Sequence, residues 1–179
     1  ASGSPDAGFY IGQCYPCDAI VNNVISENNG LGYSGTNSGG SLYIINSIFR
    51  NNKGGIVPNT LDSELLPPER ETYIIGNLIE GNNNINAPAT NSTYLSFGNG
   101  IVIAGGNNNF IKNNVIVDHE TYGIIITASL DVNYWPAHGN IVKENLILNS
   151  RRADIALSGV SNLGNCFDDN SYNVSIPPG

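Results

Sequence analysis

Six stretches of this chain share one layout, and that self-similarity narrows the folds open to it more than any other feature. Residues 20–28, 44–51, 74–82, 111–119, 142–150 and 163–170 each hold an asparagine, then apolar residues, then a polar residue five positions after the asparagine. The leading asparagines are Asn23, Asn46, Asn77, Asn114, Asn145 and Asn165; the trailing residues are Asn28, Asn51, Asn82, His119, Ser150 and Asn170. Successive leading asparagines lie 23, 31, 37, 31 and 20 residues apart. The shortest steps set a coil of about twenty residues, and the longer ones contain insertions that become loops. The apolar residues in between are Val24 and Ile25, Ile48, Leu78 and Ile79, Val115 and Ile116, Leu146 and Ile147, and Cys166 and Phe167. They are expected to point inward and to stack coil on coil.

A second short strand follows a glycine in most coils: Gly8-Phe9-Tyr10-Ile11, Gly55-Ile56-Val57, Gly100-Ile101-Val102-Ile103 and Gly123-Ile124-Ile125-Ile126. Asp154-Ile155-Ala156-Leu157 is the same strand without its glycine. These β-branched runs are too short for helices, and no apolar residues recur at helical spacing over three turns. Strands that recur once per coil pair with their equivalents above and below, which makes the sheets parallel and places like side chains over like. Asparagine suits the corners, because it tolerates the left-handed backbone region and bonds to nearby backbone groups. Repeated in every coil, its amide also bonds to the asparagine of the next. The expected fold is therefore all-β: a single-stranded, right-handed parallel β-helix solenoid of about five to six coils, with loop insertions and almost no α-helix. Its hand follows from the strong preference of parallel crossovers for the right-handed form. Residues 8–172 are assigned to the solenoid, 1–7 to an N-terminal extension or point of truncation, and 173–179 to a C-terminal tail.

Turns such as Asn22-Asn23-Val24-Ile25, Gly76-Asn77-Leu78-Ile79 and Asn113-Asn114-Val115-Ile116 resemble the parallel β-helix repeats of the pectin lyase-like superfold, including those of the nitrous-oxide accessory (NosD-like) group. Over residues 8–172 the resemblance implies a fold and no particular activity. Asp6-Ala7-Gly8-Phe9-Tyr10-Ile11-Gly12-Gln13 is similar to mid-domain segments of longer bacterial secreted β-helix proteins, so the chain resembles their C-terminal coils. That similarity implies further coils upstream, or an uncapped first coil that associates end to end with a second copy, since residues 1–7 are too few and too polar to cover open strand edges. It also implies a secreted, periplasmic or cell-surface location.

Of 179 residues, 40% are hydrophobic, enough for one continuous core. Only 12% are charged, and seven basic against fifteen acidic residues leave a net charge of −8. That balance repels a phosphate backbone, so nucleic acid is not an expected partner. No apolar run approaches the ~20 residues of a membrane-spanning helix, and no membrane insertion is expected. Polysaccharides and other glycans, cationic groups and calcium are compatible with such a surface; no cofactor is otherwise indicated.

Cys14-Tyr15-Pro16-Cys17 has the spacing of a redox dithiol or of half a zinc site. A redox pair usually opens a helix and a zinc site needs a second ligand pair, so a local Cys14–Cys17 disulfide is the leading expectation, with reduced thiols next. Cys166 falls in the slot of Val24 and Val115 and is expected to be a small buried residue. Asp118-His119-Glu120 invites general-base or metal chemistry, yet His119 aligns with corner asparagines, which gives it a structural role. Three insertions, 58–71, 85–97 and 128–139, are placed to wall a groove. They bring Tyr94, Phe97, Tyr134 and Trp135 into play beside Asp62, Glu64, Glu69 and Arg70, a mixture suited to stacking on sugar rings. The candidate binding residues are Tyr94, Phe97, Asp131, Tyr134, Trp135 and His138; the alternative role of the aromatics is to cover the flank of the core.

Two functions follow. The first is a non-catalytic extracellular or cell-surface module, a scaffold, adhesin or assembly subunit that binds carbohydrate. The alternative, implied by the resemblance alone, is a polysaccharide lyase, hydrolase or epimerase. Lyases of this superfold would use an arginine or lysine base beside acidic calcium ligands, but Arg151-Arg152 lies in a corner segment. Inverting hydrolases would show an Asn-Thr-Asp and a Gly-His-Gly element; here Asp168-Asp169 and Ala137-His138-Gly139 are incomplete. No catalytic residue is assigned. Metal delivery of the NosD-like kind would need clustered His, Met or Cys, and the chain has two histidines and no methionine.

Overall fold

The computed structural model describes residues 1–178. Its strands form three parallel sheets of seven, six and five members. The first sheet contains Ala7–Tyr10, Leu31–Thr36, Gly54–Asn59, Ile101–Ala104, Tyr122–Thr127, Ala153–Ser158 and Ser175–Ile176. The second contains Ala19–Asn22, Gly39–Ile45, Arg70–Ile75, Phe110–Lys112, Ile141–Lys143 and Cys166–Asp168. The third contains Ile25–Glu27, Ile48–Arg50, Leu78–Glu80, Val115–Val117 and Leu146–Leu148. The chain visits the sheets in that order, once per coil, so it is a parallel β-helix of six coils with Ser175–Ile176 opening a seventh. A 3-10 turn at Thr93–Ser96 is the only helical element among the described residues. Ser2 pairs with Glu27 beside the third sheet, and Ser175–Ile176 pairs with Ile155 and Ala156, so both terminal segments extend the sheets beyond residues 8–172. Residue 179, the last of the expected tail, lies outside the described residues.

Each coil turns at three corners, and each corner divides its work between two adjacent residues. At most of them the first takes the left-handed conformation and the second buries a hydrogen-bonding side chain; the exceptions include Val24 and Leu42, which are apolar at the second position. Between the second and third sheets the left-handed residues are Asn23, Asn46, Gly76, Asn113, Glu144 and Asp169, with φ between 49° and 69°. The residues after them, Val24, Ser47, Asn77, Asn114, Asn145 and Asn170, form the ladder. Oδ1 of Asn114 accepts from the backbone N–H and the Nδ2 of Asn77, both at 3.0 Å. Its Nδ2 donates to the Ile74 carbonyl and to Asn145 Oδ1, both at 2.9 Å. Asn29, Asn52, Asn82 and His119 repeat the arrangement between the third and first sheets, and Asn109, Asn140 and Asn165 between the first and second. Asn23 and Asn46 therefore sit one position before the ladder they were aligned with, and Asn165 belongs to a different ladder.

The core is a set of inward columns: Tyr33, Ile56, Ile101 and Ile124 from the first sheet, with Ile103 and Ile126 in a second column beside them, Ile44, Ile74, Ile111 and Val142 from the second, Phe49, Ile79, Ile116 and Ile147 from the third. Each fully buried Ile, Val or Phe contributes about 1.5–3 kcal/mol. Ile25, Ile48, Leu78, Val115 and Leu146 were expected to point inward beside them. They form instead the outward column of the third sheet, because adjacent strand residues face opposite ways. Cys166 is likewise exposed: it pairs with Ile141 in the second sheet, in a column shared with the stacked rings of Tyr43 and Tyr73.

The glycines that open the first-sheet strands answer to crowding at the corner. A Cβ on Gly55 would lie 2.2 Å from the Gly100 carbonyl oxygen, and one on Gly123 would lie 2.3 Å from Ile147 Cγ2. In the sixth coil Asp154 takes this position, and its carboxylate accepts the N–H groups of Ser150, Asn173 and Val174.

Candidate functional site

Side chains that point outward from the first sheet form the floor of a cleft of about 430 Å³. Ser34 and Thr36 come from the second coil, Val57 and Asn59 from the third, Val102 and Ala104 from the fourth, and Thr127 from the fifth. All three insertions border it. Leu61 and Glu64 stand on one side with Ala128, Ser129 and Leu130; Ser92, Thr93, Leu95 and Ser96 stand on the other. The topology explains the arrangement: two insertions leave the corner between the first and second sheets, and the third enters from the corner before the first sheet.

Two anchors hold these walls, one buried and one at the surface. Lys53 is fully buried, and its ammonium donates to the Ile85 carbonyl at 2.6 Å and the Asn84 carbonyl at 3.3 Å, with the Tyr94 ring centroid 5.0 Å away. Asp62 ties the first insertion to the third. Its carboxylate accepts from the N–H of Asn133 at 2.7 Å, from Asn133 Nδ2 at 2.6 Å and from Trp135 Nε1 at 3.2 Å, while its own N–H donates to Asp131 Oδ2 at 2.9 Å. Those bonds, the Asn133 backbone N–H foremost, hold the Asp62 carboxyl below its usual range. The stabilisation they give is present above the ordinary carboxylate pKa and is lost as pH falls through the lowered value. Asp62→Ala should release the hairpin of Ser129–Leu130 and Tyr134–Trp135. Amide exchange across residues 129–135 is expected to rise by about tenfold or more, with the first sheet unchanged.

The residues singled out as binding candidates serve mainly as wall supports. Tyr94 packs over Lys53; Phe97 receives the Thr121 hydroxyl on its carbonyl; Tyr134 donates to the Val160 carbonyl; Asp131 and Trp135 belong to the Asp62 clamp. His138 lies beyond the hairpin and accepts from the Leu163 N–H. The cleft lining itself combines apolar side chains, Leu31, Leu61, Leu95 and Leu130 among them, with hydroxyls and an amide, together with Tyr10, Glu64 and Asp6. Ser34, Thr36 and Asn59 carried one signal in the sequence, polarity at outward strand positions; Ser96, in the 3-10 turn of the second insertion, carried none.

Cys14 and Cys17 are joined as a disulfide. Among the described residues no three His, Cys, Asp or Glu side chains gather as a metal ion would require, and no helix is long and apolar enough to cross a membrane. Asp118, His119 and Glu120 diverge: Asp118 accepts from Asn149, Glu120 pairs with Arg151, and His119 is buried in its ladder facing Asn82.

Two buried groups give the fold a pH signature. Burial lowers His119 to about 4, so between there and its ordinary 6.5 only the unfolded chain binds the proton, and stability falls with falling pH. Burial raises Glu69 to about 8 from 4.5, so across that interval only the unfolded chain releases the proton, and stability falls with rising pH. Urea unfolding should show a plateau between about pH 4.5 and 6.5, where the two slopes cancel, and a loss approaching about 1.4 kcal/mol per pH unit between about pH 6.5 and 8. Glu69→Gln should abolish that loss and leave stability falling as pH drops below about 6.5, whereas His119→Asn should extend the loss down through the former plateau.

No protein-family model, curated protein or solved structure matches this chain. Its functional assignment rests on the cleft.

Proposed function

We propose that this chain is a non-catalytic module of the cell exterior that binds a polysaccharide along the cleft over its first sheet. The observation that carries the proposal is the floor. Ser34, Thr36, Asn59 and Thr127 present hydroxyls and an amide between the small apolar surfaces of Val57, Val102 and Ala104. Pockets of this size that combine apolar surface with a few placed polar groups are the usual form of ligand sites. Equivalent floor positions recur with every strand, at about 4.8 Å, so the surface is itself a repeat and suits a repeating polymer. The anchored walls add preorganisation, which reduces the entropy lost when a flexible chain is ordered.

Ala104→Trp tests the site. Ala104 faces the cleft from the floor, and an indole there fills space outside the inward columns. On a glycan array followed by calorimetry, the wild type should bind a polysaccharide, and the variant should lose about tenfold or more in affinity with its melting temperature preserved. Unchanged binding by the variant would move the site elsewhere. Release of reducing or unsaturated sugar ends by the wild type would overturn the non-catalytic assignment in favour of a polysaccharide-acting enzyme.

A further inference from the structure

The charge of the cleft narrows the ligand further, on the premise that the ligand is a glycan. The lining includes two carboxylates, Asp6 and Glu64, and no lysine, arginine or histidine. Glu64 is fixed at both ends. Its backbone carbonyl accepts from buried Asn37 at 3.0 Å, and its Oε2 accepts from the Tyr10 hydroxyl at 2.6 Å. Burial and the bond to Glu64 raise Tyr10 to about 12, so this hydroxyl remains a donor at any ordinary pH. One lobe of the carboxylate is thereby occupied, and Oε1 has no hydrogen bond among the described residues.

The neighbouring neutral groups also have unspent donors. Ser96 is 8% exposed and lines the cleft, yet its hydroxyl makes no hydrogen bond among the described residues. Ser34, 7% exposed, accepts from Asn59 Nδ2 at 3.3 Å and keeps its own proton to give. Two nearly buried hydroxyl donors and a fixed carboxylate acceptor thus face one space. The donors suit the ring and hydroxyl oxygens of any sugar. The carboxylates discriminate: an acidic sugar would bring a like charge into a partly dehydrated cleft, whereas an ammonium would find a fixed partner.

We infer that the cleft selects polysaccharides whose sugars carry free amino groups, with Glu64 receiving the ammonium and Ser34 and Ser96 donating to the neighbouring oxygens. The net charge of −8 acts in the same direction at long range, drawing a cationic polymer in and turning an anionic one away.

Calorimetry on the full chain at low salt, with short oligomers of glucosamine, N-acetylglucosamine and galacturonic acid, tests this. The glucosamine oligomer should bind about tenfold tighter than its N-acetylated counterpart, and the galacturonate weakest. High salt, or a pH at which the sugar amine is neutral, should erase the preference. Glu64→Gln should bring glucosamine binding down to that of the N-acetylated oligomer, with thermal unfolding confirming that the variant is folded. Binding without preference, a preference for galacturonate, or a preference that survives in Glu64→Gln overturns the inference while leaving glycan binding intact. Failure of every glycan on the array and of all three oligomers removes the underlying function as well.

Discussion

Replacing Asn114 with alanine should lower the unfolding free energy by about 3 kcal/mol, at the upper end of single-residue losses. Asn114 is 1% exposed and holds two donors of Asn77 on its Oδ1, while its Nδ2 serves the Ile74 carbonyl and Asn145. Alanine removes all four bonds. It strands the Asn77 N–H and the Ile74 carbonyl where water cannot replace them, and each buried orphan costs about 1–3 kcal/mol. The comparison is Asn46→Gly, at an exposed left-handed position whose side chain makes one long bond to Asn22. There glycine satisfies the backbone, and the change should stay within about 0.5 kcal/mol. Equal losses in urea titrations of the two variants would mean that the two adjacent corner residues do not divide the work as described.

Gly55→Ala should be comparably severe, for a steric reason. The new methyl would meet the Gly100 carbonyl oxygen at 2.2 Å, which is backbone, and Asn82 Nδ2 at 3.1 Å. A side chain could swing aside, but a paired strand cannot, so the third and fourth coils would have to separate. About 3 kcal/mol is expected, together with increased amide exchange along Gly54–Asn59 and Ile101–Ala104. Gly81→Asn, where nothing lies within 4 Å and φ is 54°, should be nearly neutral. If Gly55→Ala were equally mild, the glycine column would owe its presence to something other than corner crowding.

The architecture was legible in the sequence because a solenoid repeats its environment, and like environments select like residues. Parallel sheets, sparse helix and the asparagine corners all followed. The error lay in phase. Asparagine serves both as the left-handed residue and as the ladder residue, so pairs such as Asn28-Asn29, Asn51-Asn52 and Asn113-Asn114 admit two alignments that differ by one residue. In a strand, one residue is the difference between inside and outside. Val115 follows the correctly aligned Asn114 and was still expected to face inward, because both apolar residues after the asparagine were assigned to the core; Cys166 was expected to be buried by its likeness to that slot. The cleft was half visible. The insertions that wall it stood out as breaks in the spacing, but the floor did not, because a serine or threonine facing outward is the ordinary condition of a half-buried strand. The aromatics stood out more, and Tyr94 and Trp135 contact the anchors Lys53 and Asp62.

The Asp62 clamp has a consequence for descent. Solenoids lengthen and shorten by duplicating or deleting whole coils, a change that ladders and sheets tolerate because each coil meets only its neighbours. Asp62 leaves the third coil and Asn133 the fifth, and the hairpin between them lies over Gly105 of the fourth, where a Cβ would come within 2.9 Å of Ser129 and Trp135. Inserting one more coil between them would move the partners apart by about 4.8 Å and break every bond of the clamp. A chain that keeps this clamp can thus gain or lose whole coils outside it, while the third to fifth coils must be kept together.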